Sequence, residues 1–230
     1  MGIDPRETTI KQIFVLGELC TPEMLANISC IWNANCTHGL YGAQEVFAVA
    51  TGYPDGKLYF SETNYIAEIL PVEGIDESIG ELCLTMLVPG AKPLIRFRTG
   101  DLASFQEATG KYHNQSRTIQ IMGRVNDIVT INNRKFCPSE IESAILGATE
   151  WIYGYKVDIR NEDSGKETLE VSIVADLGNS TVEEVEQRLA DFFNISVKLS
   201  LVTKLDQRTE TGAYISWKHA RIRDWRNEHA

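Results

Sequence analysis

Residues 10–16 form an apolar run, with Ile13, Phe14, Val15 and Leu16 in succession, and the run stops at Gly17; the pattern predicts a strand. Thr21 then precedes Pro22, and Met24, Leu25, Ile28 and Ile31 recur at helical spacing. That is the pattern of an N-capped helix with proline at its first position. Between Val46 and Phe105 the texture changes. Short apolar runs at 58–60, 67–70, 81–87 and 94–97 are separated by Gly and Pro, as in a twisted sheet or small barrel.

The second half follows a different grammar. Pro138 opens a helix with Ile141, Ala144 and Ile145 on its apolar stripe, and strands are predicted at 152–159 and 169–175. Ser180 and Glu183 read as a capping box, ahead of a helix whose buried face is Val182, Val185, Leu189 and Phe192. A strand at 197–202 completes a helix-strand-strand-helix-strand order, an α+β domain of about 100 residues. The change in pattern falls near Gly123 and Arg124, which sets the domains at 1–123 and 124–230.

Composition narrows the function classes. The 230 residues carry 43% hydrophobic and 23% charged residues, ordinary for a soluble globular chain. A net charge of −10 argues against a nucleic-acid groove, which needs a basic stripe, yet leaves room for one nucleotide. No apolar run reaches the ~20 residues of a membrane span. The five cysteines form no CxxC pair, so reduced thiols and a cytoplasmic location are expected. Residues 1–5 lead almost directly into the first strand, as if a domain were entered partway.

Three short segments carry candidate chemistry. Tyr41-Gly42-Ala43-Gln44-Glu45 reads as a glycine turn between an aromatic and a carboxylate. Arg98-Thr99-Gly100-Asp101 reads as a turn closing a strand, and Gly123-Arg124-Val125-Asn126-Asp127 as a polar linker. Each alone suits a bland surface role. In order, with Leu16-Gly17-Glu18 and Gly80-Glu81-Leu82, they resemble the signature series of the adenylate-forming superfamily: acyl-CoA synthetases, adenylation domains and luciferases. Gly2-Ile3-Asp4-Pro5-Arg6, Leu94-Ile95-Arg96-Phe97-Arg98 and Phe136-Cys137-Pro138-Ser139-Glu140-Ile141-Glu142 are most similar to the phenylacetate–CoA ligase branch.

That resemblance implies the end of a large α/β N-terminal domain with a β-rich subdomain, followed by a small mobile α+β domain. It implies nucleotide contacts at Gly17, Glu18, Tyr41, Gly42, Asp101 and Arg124. Tyr41 would stack on the purine, Asp101 would accept both ribose hydroxyls, and Arg124 would reach ribose or phosphate. Glu45 would hold Mg²⁺, and the acid substrate, an aryl or amino acid among the candidates, would enter beside His38, Gly39, Ala43 and Gln44. Asn126 corresponds to the hinge. ATP and AMP, Mg²⁺, and a thiol from CoA or a carrier protein's phosphopantetheine are the implied cofactors and partners. The alternative is a non-catalytic nucleotide-binding or interaction protein derived from this fold.

The series also departs from the family. A Ser/Thr/Gly-rich phosphate loop ending in Lys is not found in the sequence, which suits a C-terminal portion lacking the N-terminal half of the enzyme. Ala213 stands at the family's catalytic lysine position, after Arg208-Thr209-Glu210-Thr211-Gly212, and reads as a lysine replaced by engineering or, second, by natural degeneracy. Asn133 occupies a glycine position in the loop after the hinge.

Overall fold

Strand β1 (Gln12–Leu16) and strand β2 (Asn35–Ala43) lie parallel and are joined by helix α1 (Pro22–Trp32), a βαβ unit. Thr21 caps the helix by accepting from the Met24 amide at 3.1 Å, and Asn33 ends it in the left-handed region at φ 48°. Ile13, Val15 and Cys36 pack with Cys20, Met24, Leu25 and Ile28. On the other face of β1, Phe14 and Leu16 stand 62% and 53% exposed. The computed structural model describes residues 4–88, 93–112, 117–162, 165–211 and 216–226.

Six further strands complete one sheet: β3 (Phe47–Gly52), β4 (Leu58–Phe60), β5 (Tyr65–Pro71), β6 (Gly80–Met86), β7 (Phe97–Gln106) and β8 (Thr118–Arg124). Its order is β1-β2-β3-β4-β8-β7-β6-β5, and every pairing but the first is antiparallel. Val49, Leu58, Phe60, Leu82, Leu84, Ala103 and Ile119 form its core. The apolar pattern predicts a strand at 94–97, but β7 starts only at Phe97, because Arg96 sits in the left-handed region at φ 50°. Glycines and polar residues interrupt the pattern of β2, which the sequence does not predict, and β3 lies in the β-type stretch that begins at Val46 without being set off there as a run of its own.

The chain divides into two units, Met1–Asn126 and Asp127–Ala230; the sequence pattern sets the change between residues 123 and 124. The second unit opens with the hairpin β9 (Val129–Ile131) and β10 (Arg134–Phe136). Its two-residue turn is Asn132-Asn133, with φ 48° and 59°. Asparagine is the non-glycine residue best suited to consecutive positive φ, so Asn132 and Asn133 can make this turn.

Helix α2 (Pro138–Leu146), strands β11 (Ile152–Asn161) and β12 (Glu167–Ala175), helix α3 (Val182–Phe193) and strand β13 (Ser196–Leu201) follow the predicted order. Short helices α4 (Gln207–Thr211) and α5 (Trp217–Arg221) and strand β14 (Ile222–Asp224) come after them, giving a four-stranded sheet β13-β12-β11-β14. The cap of α3 is one residue later than predicted. Thr181 Oγ1 accepts from the Glu184 amide at 3.2 Å, and Glu184 accepts from the Thr181 amide at 3.0 Å. The buried stripe is accordingly Val185, Leu189 and Phe193, while Phe192 is 39% exposed.

Three consecutive residues bind the C-terminal segment to the start of this unit. Ser216 Oγ donates to Asp127 Oδ1 at 2.9 Å, Trp217 Nε1 to Glu142 Oε1 at 3.2 Å, and Lys218 Nζ to the Ile128 carbonyl at 2.9 Å. No helix among the described residues is long and apolar enough to cross a membrane.

Candidate functional site

The Arg98-Thr99-Gly100-Asp101 motif lies within strand β7 rather than in a turn that closes one. Across the β6–β7 ladder Cys83 faces Arg98 and Glu81 faces Leu102, so Leu82 alone stands opposite Thr99, Gly100 and Asp101. The motif is therefore a β-bulge. Gly100 takes φ 77°, a conformation that glycine enters without strain, and this allows the bulge to re-aim the next side chain. Thr99 Oγ1 donates to the Leu82 carbonyl at 2.9 Å and accepts from the Asp101 amide at 3.1 Å.

Asp101 is brought to two partners by the sheet. Arg124 sits directly across the β7–β8 ladder, and its Nε lies 3.0 Å from Asp101 Oδ1. The Tyr41 hydroxyl, from β2, donates to Asp101 Oδ2 at 2.7 Å. Asp101 is 8% exposed, whereas the Arg124 side chain is 61% exposed. Burial pushes the Asp101 carboxyl above the usual carboxylate range, and the Tyr41 bond and the Arg124 charge oppose that shift. Burial and the facing Asp101 charge drive the Tyr41 phenol far above its ordinary range. Oδ2 accepts one hydrogen bond and Oδ1 faces Arg124 as an ion pair; a carboxylate offers about four lone-pair sites in all, so acceptor capacity remains on both oxygens.

Glu81 and Thr99 are the residues whose parts sequence reasoning missed. Glu81 is 5% exposed and accepts from Arg98 Nε at 2.9 Å, with Arg98 Nη2 in ion-pair contact as well. Two motifs distant in sequence are thus joined in space. The available signal was an acidic and a basic motif residue on adjacent predicted strands.

The other predicted positions distribute as follows. Gly17, at φ 77°, and Glu18 are exposed in the bend after β1. His38, Gly39, Tyr41, Gly42 and Ala43 lie along β2, and Gln44 and Glu45 in the exposed turn after it. His38 is partly buried, which lowers its pKa and keeps the ring neutral at pH 7. A Cβ at Gly42 would overlap the Phe47 carbonyl oxygen, and one at Gly39 would overlap the Leu16 side chain. Gly42 is thus required by the β2–β3 pairing itself. Glu45 is an isolated candidate: no group of three or more His, Cys, Asp or Glu that could hold a metal occurs among the described residues. Asn126 is exposed in the short 3₁₀ turn Val125–Asp127. Ala213 lies outside the described residues.

This architecture is that of the adenylate-forming ligases. A 2-hydroxyisobutyryl-CoA ligase in the postadenylation state in complex with 2-HIB-AMP superposes with a TM-score of 0.69 at 18% identity, over 98% of this chain and 50% of that one. In sequence the chain is similar to phenylacetate-coenzyme A ligases. That of Aromatoleum evansii is 26% identical over 221 residues, 86% of this chain and 48% of the relative. That of Thermus thermophilus is 32% identical over 188 residues, 74% and 41% of the two chains. The chain spans about half the length of the curated relatives it matches. No protein-family model matches it.

Proposed function

We propose that this chain contributes the ribose- and adenine-binding part of an ATP-dependent acid–thiol ligase. In such a ligase a substrate carboxylate attacks the α-phosphorus of ATP, pyrophosphate leaves, and a thiol then displaces AMP from the acyl-adenylate. The observation that carries this reading is the Tyr41–Asp101–Arg124 junction, a buried carboxylate with spare acceptor sites beside a mostly exposed guanidinium.

Each side chain has a task in that chemistry. Asp101 accepts the ribose hydroxyls through its remaining lone pairs, while Tyr41 and Arg124 hold it in place and favour its ionised form. Arg124 keeps nitrogens free for ribose or phosphate. Tyr41 places its ring by the purine, and Gly17, Glu18 and Gly42 line the approach of the base. His38, Gly39, Ala43 and Gln44 border the acid, and Asn126 is the hinge. A single carboxylate at Glu45 suits Mg²⁺, which keeps waters and takes phosphate oxygens for its other ligands. When bound there the ion supplies neutralisation of phosphate charge. The thiol is that of CoA or of a carrier protein's phosphopantetheine.

Isothermal titration of the 230-residue chain with AMP tests the nucleotide assignment. Asp101→Asn is expected to weaken binding by about 2–4 kcal/mol, since charged hydrogen bonds contribute ~1.5–3 kcal/mol each and rarely add fully. A wild-type chain with no affinity for AMP would defeat the reading. Ala213 at the family's lysine position favours a second reading, a nucleotide-binding or interaction protein without adenylation chemistry. Pyrophosphate exchange by the complete ligase, as it stands and with Ala213→Lys, separates the two.

A further inference from the structure

We propose that Glu81 is a positioning residue of the nucleotide site, and that its ion pair with Arg98 is a clamp across the bulge that aims Asp101. The inference rests on the ligase reading above for its ligand, AMP, but its geometry stands apart from that reading.

The clamp follows from register. Arg98 is the last residue of β7 in register before the bulge, opposite Cys83, and Leu102 is the first after it, opposite Glu81. The Glu81–Arg98 bond therefore runs diagonally past the three residues that lack a register partner on β6 and ties one side of the bulge to the other. Inside that span the Leu82 carbonyl holds the Thr99 hydroxyl, and Thr99 in turn holds the Asp101 amide. The backbone leading to Asp101 is secured at both ends and in the middle.

The burial is lopsided in a way that a surface ion pair is not. The Glu81 side chain is 7% exposed and the Arg98 side chain 68%. An exposed pair contributes little, and a buried carboxylate carries a desolvation cost, so stability alone is a poor reason for this arrangement. Neighbouring contacts fix where Glu81 starts: a Cβ at Gly80 would overlap the Leu70 carbonyl oxygen, so β5 and β6 approach closely at this point. A bulge lacking such a clamp can change its register, and a one-residue slip would turn Asp101 to the opposite face.

The test uses the full 230-residue chain, ¹⁵N-labelled, as wild type, Glu81→Gln, Glu81→Asp and Asp101→Asn. Glu81→Gln keeps the volume and an acceptor but removes the charge. Its AMP Kd is expected to rise about tenfold, with folding preserved and Glu81→Asp intermediate. In the nucleotide-free spectra, Glu81→Gln is expected to move the Asp101 amide and Arg124 Nε–H signals. Unchanged Kd, with shifts confined to residue 81 and Arg98, overturns the proposal. If wild type and Asp101→Asn alike fail to bind AMP, the ligase reading falls, and the Asp101 and Arg124 signals decide the clamp. Should Glu81→Gln not fold, Arg98→Lys keeps the charge, loses the two-point contact, and is read on the same signals.

Discussion

At Asp101 burial works against the charged carboxylate while Tyr41 and Arg124 work for it. Burial sets its folded-state pKa above the unfolded value. That shift favours the folded state below the unfolded pKa, and the contribution is lost as pH rises through the folded pKa. The bond from Tyr41 acts in the opposite sense, since it stabilises the charged form. Tyr41→Phe should therefore raise the carboxyl's pKa further and cost about 1–2 kcal/mol of stability at pH 7. The cost should shrink as pH falls into and below the ordinary carboxylate range, where the proton replaces the lost donor. Urea unfolding of both proteins at pH 7 and pH 4 checks the sign; a gap that widens in acid would contradict it. The same variant separates two uses of Tyr41, because a ring that only stacks on a purine loses no AMP affinity with its hydroxyl. The motif residues were legible in the sequence, but their bonds were not. Tyr41 and Asp101 stand 60 residues apart, and it is the register of the sheet that brings them together.

At the scale of elements, the helices were read more closely than the strands, for a physical reason. Helices α1, α2 and α3 announce themselves by caps, prolines and a stripe of local periodicity. Even so, the sequence Ser180-Thr181-Val182-Glu183-Glu184 contains two overlapping capping boxes. The choice between them rests on whether Phe192 or Phe193 enters the core, which is a tertiary matter. Strand β2 and the end of β3 carry glycines that are set by the neighbouring backbone, not by an alternating face, so their pattern is weak. Gly42 lies against the Phe47 carbonyl and Gly52 against the His38 carbonyl. Gly42→Ala should accordingly lower stability by about 2–4 kcal/mol through backbone displacement. Differential scanning calorimetry measures that loss, and a melting temperature unchanged from wild type would show that the β2–β3 contact yields easily. Around Gly100 the residues suit a turn as well as a bulge, and only the partner strand distinguishes the two.

For the molecule as a whole, the fold class was legible because the change of pattern after residue 123 separates a β-rich half from an α+β half. The C-terminal segment was not, since α5 and β14 are short and are held by bonds distant in sequence. Lys218 illustrates the difference. Nothing in its sequence surroundings shows that its ammonium donates to the Ile128 carbonyl, 90 residues away. The charge of the chain has a consequence at its opposite end. Phe14, Leu16 and Leu40 are 62%, 53% and 45% exposed on the first two strands, and β1 is an edge of the sheet. Apolar surface beside an open edge promotes self-association. Against that stands a net charge of −10, whose repulsion is long-ranged in dilute salt and short-ranged in concentrated salt. In solution the chain should therefore behave as a charge-stabilised colloid. Light scattering is expected to rise as sodium chloride increases from about 0.01 M to 1 M, where the screening length contracts from ~30 Å to ~3 Å. Phe14→Thr with Leu16→Thr should flatten that rise, and equal scattering from the variant would place the sticky surface elsewhere.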